Sequence, residues 1–350
     1  MNRASILSKM FIWVLRQAFG VKTPIIAVYS LTHYCNFYCP MCPFGTKDKA
    51  EQARLAEEKD LKTWQWKQIM SKVSRYTIAA CVEGGEPTTR EDLPELLEHL
   101  KSLGVYVNLT TNSSLLHKLP MDRLAKSTDA VCCSLDSIYE DAFCKIRGVY
   151  PEVFHMVQSN IKMLGDYGMV YYTNPVITKY NVEEFASGEY FDYVYRELGV
   201  VAVMPSVVEN FEAEGSSMLL PSRSQLKKLA RGVLDYMKRR DKPYIGTPPL
   251  YWKQILEYGR PIYDRCRTWR GITVQADGTV RIPCWKFAVP TEVFNIMEHE
   301  VAELWRHPAW KNSEGCHRCE YLACHWFSSQ RLPTIAKNYF KGVGYFLRRS

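Results

Sequence analysis

Short runs rich in Val, Ile and Tyr alternate with longer helical stretches through the first two thirds of the sequence. Six of these runs are flanked by Gly, Pro, Asn or Asp and are predicted to be strands: 25–31, 77–82, 105–110, 130–135, 169–177 and 200–205. Apolar residues at helical spacing predict helices between them, near 61–74, 91–103, 116–126, 151–166 and 183–198. Strands that alternate with helices pair in parallel through crossover helices. The sequence therefore predicts an α/β fold, built as a partial (β/α)6 TIM-like barrel.

The chain is expected to divide into four parts. A basic amphipathic segment at 1–24 precedes a barrel domain at 25–240, whose last predicted element is a basic helical stretch at 222–240. A proline-containing segment then leads into a small cysteine-rich α+β extension at 241–330, where Asp277-Gly278 predicts a hairpin turn. Residues 331–350 are predicted to form a basic amphipathic helix, because apolar residues recur at helical spacing over 332–347.

Positive charge is concentrated at the two ends of the chain. Residues 1–46 carry +4 and residues 321–350 carry +5, with no Asp or Glu in either segment, so the 274 residues between them carry −1 of the formal total of +8. This distribution argues against nucleic acid as a partner and favours terminal segments that meet an anionic surface. A chain of 350 residues whose cysteines cluster at metal-like spacings is expected to be cytoplasmic, where thiols stay reduced.

Three cysteines lie within eight residues, directly after the first predicted strand. Cys35, Cys39 and Cys42 have the spacing C-x3-C-x2-C. Each iron of a four-iron cluster normally takes one thiolate, so three cysteines leave the fourth iron open to a ligand. Zinc is the alternative, since His33 could supply a fourth ligand. The crowding of three cysteines on one loop favours the iron–sulfur cluster.

This loop resembles the cysteine motif of the radical S-adenosylmethionine (SAM) superfamily, which also follows the first strand. A second match follows the second predicted strand, where Gly84, Gly85, Glu86 and Pro87 resemble the family's GGEP motif. The resemblance implies that this segment binds the methionine amino group of SAM. Two glycines allow a close approach of the backbone, and Glu86 can neutralise an ammonium group.

Weaker matches to the family follow the later strands. Asn112 follows the third strand, Ser134 and Asp136 close the fourth in positions that resemble the family's ribose contacts, and Arg147 is expected to meet the methionine carboxylate. From the residues alone, Asn112 and Asp136 fit turn or helix caps equally well, and Arg147 fits a surface position.

The resemblance implies the cofactors and the reaction. A 4Fe-4S cluster chelates SAM, and an electron from an external flavodoxin- or ferredoxin-like donor cleaves SAM to methionine and a 5′-deoxyadenosyl radical. This radical then abstracts hydrogen from the substrate. The alternative from another class is a non-catalytic iron–sulfur or zinc protein that acts as a scaffold or electron carrier.

A second cysteine set occupies the C-terminal third. Cys266, Cys284, Cys316 and Cys319 resemble the auxiliary-cluster extension called twitch, or its longer relative SPASM, with Cys324 as an alternative ligand. No cysteine follows Cys324, so one auxiliary cluster is expected rather than two. Four cysteines in this pattern also fit zinc. Cys81, Cys132, Cys133 and Cys144 have no partner spacing and are interpreted as core residues.

The basic amphipathic pattern of the two chain ends affects which substrate is expected. Basic amphipathic segments either cap a barrel or lie in the surface of an anionic membrane, and both alternatives are open. The second alternative places the protein at the inner face of the membrane and predicts a lipid or isoprenoid substrate, and the layout resembles that of hopanoid-modifying radical enzymes. A ribosomal peptide or a small metabolite is the alternative substrate. No N-terminal segment of the length that peptide-binding domains occupy precedes Cys35, which disfavours the peptide.

Overall fold

The computed structural model describes residues 3–209, 217–262, 266–284 and 290–313. Helices and strands alternate along most of this length. The helices are α1 Arg3–Ala18, α2 Lys49–Lys59, α3 Thr63–Val73, α4 Leu93–Ser102, α5 Met121–Ser127, α6 Glu140–Arg147, α7 Pro151–Asp166, α8 Val182–Ser187, α9 Glu189–Arg196, α10 Arg223–Tyr236, α11 Pro249–Tyr258 and α12 Val301–Arg306. The strands are β1 Ile26–Ser30, β2 Ala79–Glu83, β3 Tyr106–Thr111, β4 Ala130–Cys133, β5 Tyr171–Thr173, β6 Val176–Ile177, β7 Ala202–Val203, β8 Ser206–Val207, β9 Tyr244–Ile245, β10 Gly271–Val274, β11 Thr279–Ile282 and β12 Glu292–Asn295.

One sheet organises the described part of the molecule. Its strand order is β12-β11-β10-β1-β2-β3-β4-β5-β7-β9, and every pair from β10 to β9 is parallel. The strands of the six predicted units, β1 to β5 and β7, follow one another in chain order. The prediction of a partial α/β barrel is therefore confirmed, with β9 and β10 as additional parallel strands at either side of the six.

The two faces of this sheet differ in what covers them. On one face, large apolar side chains pack under the helices: the ring of Tyr29 meets Trp66 of α3 edge-on, with 6.0 Å between the centroids. On the other face, which we call the inner face, the side chains are smaller and more polar, as with Ser30 and Glu83, which are in register on neighbouring strands. Each large apolar side chain buried under the helices stabilises the fold by roughly 1.5–3 kcal/mol.

Four predicted elements contain a proline or a glycine whose effect on the backbone the pattern of apolar residues does not take into account. Pro175 and Pro205 lie in the predicted strands 169–177 and 200–205, and each separates two short strands, because proline has no N–H for the ladder. The predicted helix 183–198 breaks at Gly188, whose φ is +90°. Pro120 separates a short 3₁₀ turn from α5 within the predicted helix 116–126.

The sheet continues past the predicted domain boundary at residue 240. β9 pairs with β7, and β10 pairs with β1. The hairpin predicted at Asp277-Gly278 is confirmed, since Val274 lies opposite Val280 and Gly278 adopts a φ of +81°. The boundary itself remains a prediction, and the predicted C-terminal helix at 331–350 lies outside the described residues.

A buried carboxyl on α8 makes the stability of the fold depend on pH. Glu184 accepts hydrogen bonds from the Ser137 hydroxyl at 2.6 Å and from the backbone N–H of Ile138 at 2.9 Å. Burial raises the pKa of Glu184 to about 7. Because its pKa is raised, Glu184 holds its proton more tightly in the folded state than in the unfolded state. The protonated side chain therefore contributes fully to the stability of the fold below the pKa that Glu184 has in the unfolded chain, and this contribution is lost as pH rises through about 7.

We therefore expect thermal unfolding of the apo-protein to show this loss between about pH 5 and 8, with a magnitude of roughly 3 kcal/mol. Glu184→Gln should remove most of this pH dependence. Glu183→Gln is the matched control, because the Glu183 side chain is 58% exposed and should leave the profile unchanged. Parallel pH profiles for wild type and Glu184→Gln would contradict this account.

Candidate active site

The cysteine loop begins just beyond the end of β1 and is enclosed by the protein. Cys35 and Cys39 are buried, and Cys42 is half-buried. Burial raises the pKa of Cys35 to about 11 and that of Cys39 to about 12, and each thiol lies close enough to the other two for their charges to interact. The free thiols of Cys35 and Cys39 are therefore protonated at neutral pH, and a metal must displace these protons to bind.

One glutamine holds the loop in place from inside. Gln52 on α2 is fully buried, and its side-chain oxygen accepts a hydrogen bond from the backbone N–H of Cys35 at 2.9 Å. Its side-chain nitrogen donates to the carbonyls of Phe44 at 2.6 Å and Lys47 at 3.0 Å. Sequence reasoning missed Gln52 because α2 has no apolar stripe. The signal that could have revealed the helix is Asp48, whose carboxylate caps its N-terminus.

The glycines of residues 84–87 allow this segment to lie directly against the cysteine loop. A Cβ on Gly85 would lie 2.0 Å from the carbonyl oxygen of Tyr34, and one on Gly84 would lie 2.9 Å from the backbone nitrogen of Leu31. Two backbone hydrogen bonds join the same segments, from Gly85 N–H to Thr32 and from Glu86 N–H to Tyr34. In this structure, the two glycines therefore allow a close approach to the backbone of the segment that leads into Cys35.

Glu86 is buried where the ends of β2 and β3 meet. Its carboxylate accepts hydrogen bonds from the N–H and hydroxyl of Thr88 at 3.1 and 2.6 Å, from the Thr111 hydroxyl at 2.7 Å and from the Asn112 N–H at 2.7 Å. Burial raises the pKa of Glu86, and these four hydrogen bonds lower it. The carboxylate therefore fixes the strand ends relative to each other, whatever further group it binds.

Asn112 connects this network to the cysteine loop. Its side-chain nitrogen donates to the Asn36 side-chain oxygen at 2.8 Å, while its own oxygen accepts from the N–H and hydroxyl of Ser114. This is the turn-capping role that the sequence left open for Asn112. Ser134 follows β4 with a half-buried side chain, and its N–H donates to the carbonyl of Thr111.

Asp136 and Arg147 form a buried ion pair beside the cysteine loop. Arg147 Nε lies 2.5 Å and Nη2 2.8 Å from the two oxygens of Asp136, which is fully buried. The third guanidinium nitrogen of Arg147, Nη1, lies 3.9 Å from Cys39 Sγ. Arg147 is thus not the surface residue considered above, and its cation faces one of the three thiols.

The second cysteine set is only partly described. Cys266 Sγ lies 3.6 Å from the Thr268 hydroxyl, which donates to the carbonyl of Pro283 at 2.7 Å, and Cys284 comes next in the chain. The hairpin therefore brings Cys266 and Cys284 into one neighbourhood. Cys316, Cys319 and Cys324 lie outside the described residues.

The donor set of the cysteine loop fits a 4Fe-4S cluster better than a single zinc ion. His33, the proposed fourth zinc ligand, contacts Asp60 Oδ1 through Nδ1 at 2.6 Å, so only its Nε2 is left for a metal. Within the described ranges, no three His, Cys, Asp or Glu side chains converge on one point as a mononuclear site requires. A four-iron cluster instead binds each thiolate at a different corner, so its ligands need not converge. The Arg147 cation also suits an anionic cluster.

Fold and site together define the class of protein. The family model described as the Radical SAM superfamily matches residues 29–187, which contain the cysteine loop, the GGEP segment and Arg147. Residues 29–187 are therefore a domain of the radical SAM superfamily, whose members are enzymes that use a 4Fe-4S cluster and SAM. The resemblance drawn from the motifs is confirmed.

Relatives extend the comparison beyond these motifs. A probable GTP 3′,8-cyclase of Saccharolobus solfataricus is 26% identical over 284 residues, covering 78% of this chain and 87% of the relative. The PqqA peptide cyclase of Rhodopseudomonas palustris is 36% identical over 115 residues, which span only 33% of this chain and 28% of that protein.

Two solved structures share the fold. Streptococcus suis SuiB bound to S-adenosylmethionine matches with a TM-score of 0.67 at 20% identity, covering 85% of this chain and 69% of that one. Native anSMEcpe with bound AdoMet and Cp18Cys peptide matches with a TM-score of 0.59 at 15% identity, covering 93% and 97%. At these identities the likeness establishes the architecture alone.

Proposed function

We propose that this enzyme reductively cleaves SAM and uses the 5′-deoxyadenosyl radical to abstract hydrogen from its substrate. The observation that carries the proposal is the buried three-cysteine loop, which lies against the GGEP backbone with the Arg147 cation at Cys39. When bound, the cluster supplies the electron and the coordination site for SAM. Cys35, Cys39 and Cys42 hold it, and Gln52 fixes the loop from which they project.

Residues around the loop are assigned to SAM by the same proposal. Glu86 and the backbone of Gly84, Gly85 and Pro87 bind the amino group of methionine. The remaining SAM contacts are assigned to Asn112, Ser134 and Arg147, and Asp136 is assigned the role of positioning Arg147 in place of the ribose contact that the resemblance implied. Asp136 acts through Arg147, because its carboxylate is buried in the ion pair and holds the guanidinium in a fixed orientation. A buried cation at this position favours a carboxylate ligand over a neutral one.

The proposal is tested by anaerobic reconstitution with iron and sulfide. Reduced protein with SAM should release 5′-deoxyadenosine slowly even without substrate, and protein without SAM should release none. Protein that holds the cluster, is reduced, and yields no 5′-deoxyadenosine would overturn the proposal.

We infer that a single auxiliary 4Fe-4S cluster is bound by Cys266, Cys284, Cys316 and Cys319, with Cys324 as an alternative ligand. The proximity of Cys266 and Cys284 supports this assignment. Metal analysis after reconstitution should give about eight irons per chain, since each cluster holds about four. About four irons with one zinc would show that the second set binds zinc.

The orientation of α1 favours a substrate presented at a membrane surface. Its polar face is turned inward: Lys9 Nζ donates to the carbonyls of Leu103 and Gly104, the indole N–H of Trp13 donates to Thr23, and Arg16 lies over the ring of Tyr76. Its outward face carries Phe11 and Leu15, which are exposed to 65% and 41%, and Phe19, just beyond the end of the helix, is exposed to 82%. A helix that only capped the barrel would bury these side chains.

We therefore propose that the outward face of α1 lies in an anionic lipid surface and that the substrate is a lipid or isoprenoid. Among the residues that the structure describes, no helix combines the length and apolarity needed to cross a bilayer. Shallow burial of two phenylalanines contributes a few kcal/mol to membrane binding, which is enough for reversible attachment. A ribosomal peptide is the second candidate substrate, supported by the local similarity to PqqA peptide cyclase.

Replacing both Phe11 and Phe19 by serine is expected to reduce cosedimentation with anionic vesicles at least tenfold, because about 2 kcal/mol of burial is lost per ring. The matched control is Tyr150→Ser, which removes an aromatic side chain that is 80% exposed on another part of the surface. Equal sedimentation of the double variant, the control and the wild type would remove the membrane proposal and leave the peptide as the favoured substrate.

A further inference from the structure

Lys49 reaches from the first turn of α2 back to the cysteine loop. Its Nζ donates a hydrogen bond to the carbonyl of Phe37 at 2.5 Å and lies 4.1 Å from the centroid of the Tyr38 ring. Phe37 and Tyr38 lie between Cys35 and Cys39 in the chain, so the ammonium contacts the loop between two of its three thiols. The cysteine spacing gives no sign of this contact, because Lys49 lies beyond the last cysteine of the loop.

Lys49 and Gln52 hold the loop from one side of α2. Residues three positions apart on a helix are neighbours on its surface. Gln52 accepts a hydrogen bond from the N–H of Cys35 at 2.9 Å, and Lys49 donates to the carbonyl two residues further along the loop. The helix dipole disfavours a cation in the first turn of a helix. The stability of α2 therefore does not account for a lysine at this position, whereas the contacts with the loop do.

No carboxylate neutralises the charge of Lys49. In the part of the chain that the structure describes, its Nζ forms no ion pair with an Asp or Glu, and the neighbouring Asp48 carboxylate instead caps the backbone N–H groups at the start of α2. Arg147, the cation that faces Cys39, is paired with the fully buried Asp136, and this pair has no net charge. Of these two cations, Lys49 is therefore the one whose charge no ion pair cancels.

All three thiols of the loop lie within electrostatic reach of this ammonium. Burial lowers the pKa of Lys49, while charge on any of the three loop cysteines raises it by more than Asp48 does. A cluster bound through thiolates is anionic, and an added electron makes it more negative. A nearby cation therefore stabilises the reduced form more than the oxidised form, and this effect is large where water is largely excluded.

We propose that Lys49 is a positioning residue that raises the reduction potential of the cluster bound by Cys35, Cys39 and Cys42. The inference rests on the proposed function, in which an external donor reduces this cluster before SAM is cleaved. In that step the donor loses one electron, the cluster gains it, and no bond forms or breaks. The Lys49 ammonium, held by the Phe37 carbonyl, offsets part of the added negative charge. A donor of given potential then reduces a larger fraction of the enzyme.

The experiment is a potentiometric titration of the reconstituted protein without SAM, followed by electron paramagnetic resonance. The signal of the loop cluster is the one that Cys39→Ala removes. At a fixed ambient potential, Lys49→Gln should lower the ratio of reduced to oxidised cluster about tenfold, which corresponds to a shift of about 59 mV for a one-electron couple. Lys49→Arg retains the charge and should retain the wild-type ratio. The matched control is Lys47→Gln, which removes an exposed lysine two residues away and should also leave the ratio unchanged.

A second neutral variant keeps the result interpretable if Lys49→Gln binds its cluster poorly. Lys49→Met retains the length of the side chain and its contact with Tyr38 but not the charge, so it should lower the ratio as Lys49→Gln does. A wild-type ratio in the neutral variants, or an equal loss in Lys49→Arg, would overturn this inference alone. Loss of the cluster from both neutral variants would also overturn it, since Lys49 would then only support the loop.

The titration contains no SAM, so it separates this inference from the proposed function. Wild-type protein whose loop cluster is fully reduced, and which releases no 5′-deoxyadenosine when SAM is added, would overturn the proposed function whatever the potential of the Lys49 variants.

Discussion

Cys39→Ala is expected to lower the release of 5′-deoxyadenosine by at least about a hundredfold, because a cubane with only two protein thiolates is not stably held. Cys39 is buried, and its Sγ lies 3.9 Å from Arg147 Nη1, so its loss removes a thiolate from an enclosed position of the loop. Iron content should fall by about four per chain. Iron analysis and chromatography of the reaction products measure the two effects.

The matched control for this substitution is Cys144→Ala. Cys144 is also a partly buried thiol of the barrel, but it lies on α6 and is not part of the cysteine loop. It should retain the wild-type iron content and product yield. If Cys39→Ala kept its iron and continued to cleave SAM, the three-cysteine site would be wrong.

Gly85→Ala is expected to abolish cluster loading, although it changes no ligand. The new Cβ would lie 2.0 Å from the carbonyl oxygen of Tyr34, and both partners are fixed to the backbone, so neither can rotate away. Separating them displaces the residue next to Cys35 and costs about 3 kcal/mol or more. Absorbance of the cluster after reconstitution and thermal unfolding of the apo-protein measure the two consequences.

Gly168→Ala separates the steric clash from the general cost of replacing a glycine. Gly168 has a φ of +64°, and a Cβ added there would meet no atom within 4 Å, so alanine costs about 1 kcal/mol of backbone strain without a collision. It should lose some stability and retain full cluster loading. Equal loading of the Gly85 and Gly168 variants would show that the loop tolerates displacement and would contradict the fit described here.

The order of the barrel strands could be predicted because it follows from local pattern. Runs of β-branched and aromatic residues mark buried strands, and parallel pairing follows from their alternation with helices. The pattern could not predict where Pro175 and Pro205 would divide strands, nor the continuation of the sheet into β9 and β10. Those features depend on pairing between distant segments, which apolar periodicity does not record.

The candidate cluster ligands could be predicted from the sequence more easily than the residues that hold them in place. The cysteine spacing and the GGEP segment are contiguous in the sequence, and the structure brings them together. Gln52 was missed because its role depends on the fold of a polar helix, and the Asp136–Arg147 pair because it forms between separate elements. Lys49 lies on the same polar helix as Gln52, so its contact with the loop depends on that fold in the same way.

In the proposed mechanism, one iron of the cluster held by Cys35, Cys39 and Cys42 has no protein ligand and binds SAM. Electron paramagnetic resonance of the reduced protein, recorded first in buffer alone and then with SAM added, tests this most directly. Addition of SAM is expected to change the g-values of the signal that Cys39→Ala removes. A signal that depends on Cys39 but does not respond to SAM would contradict it.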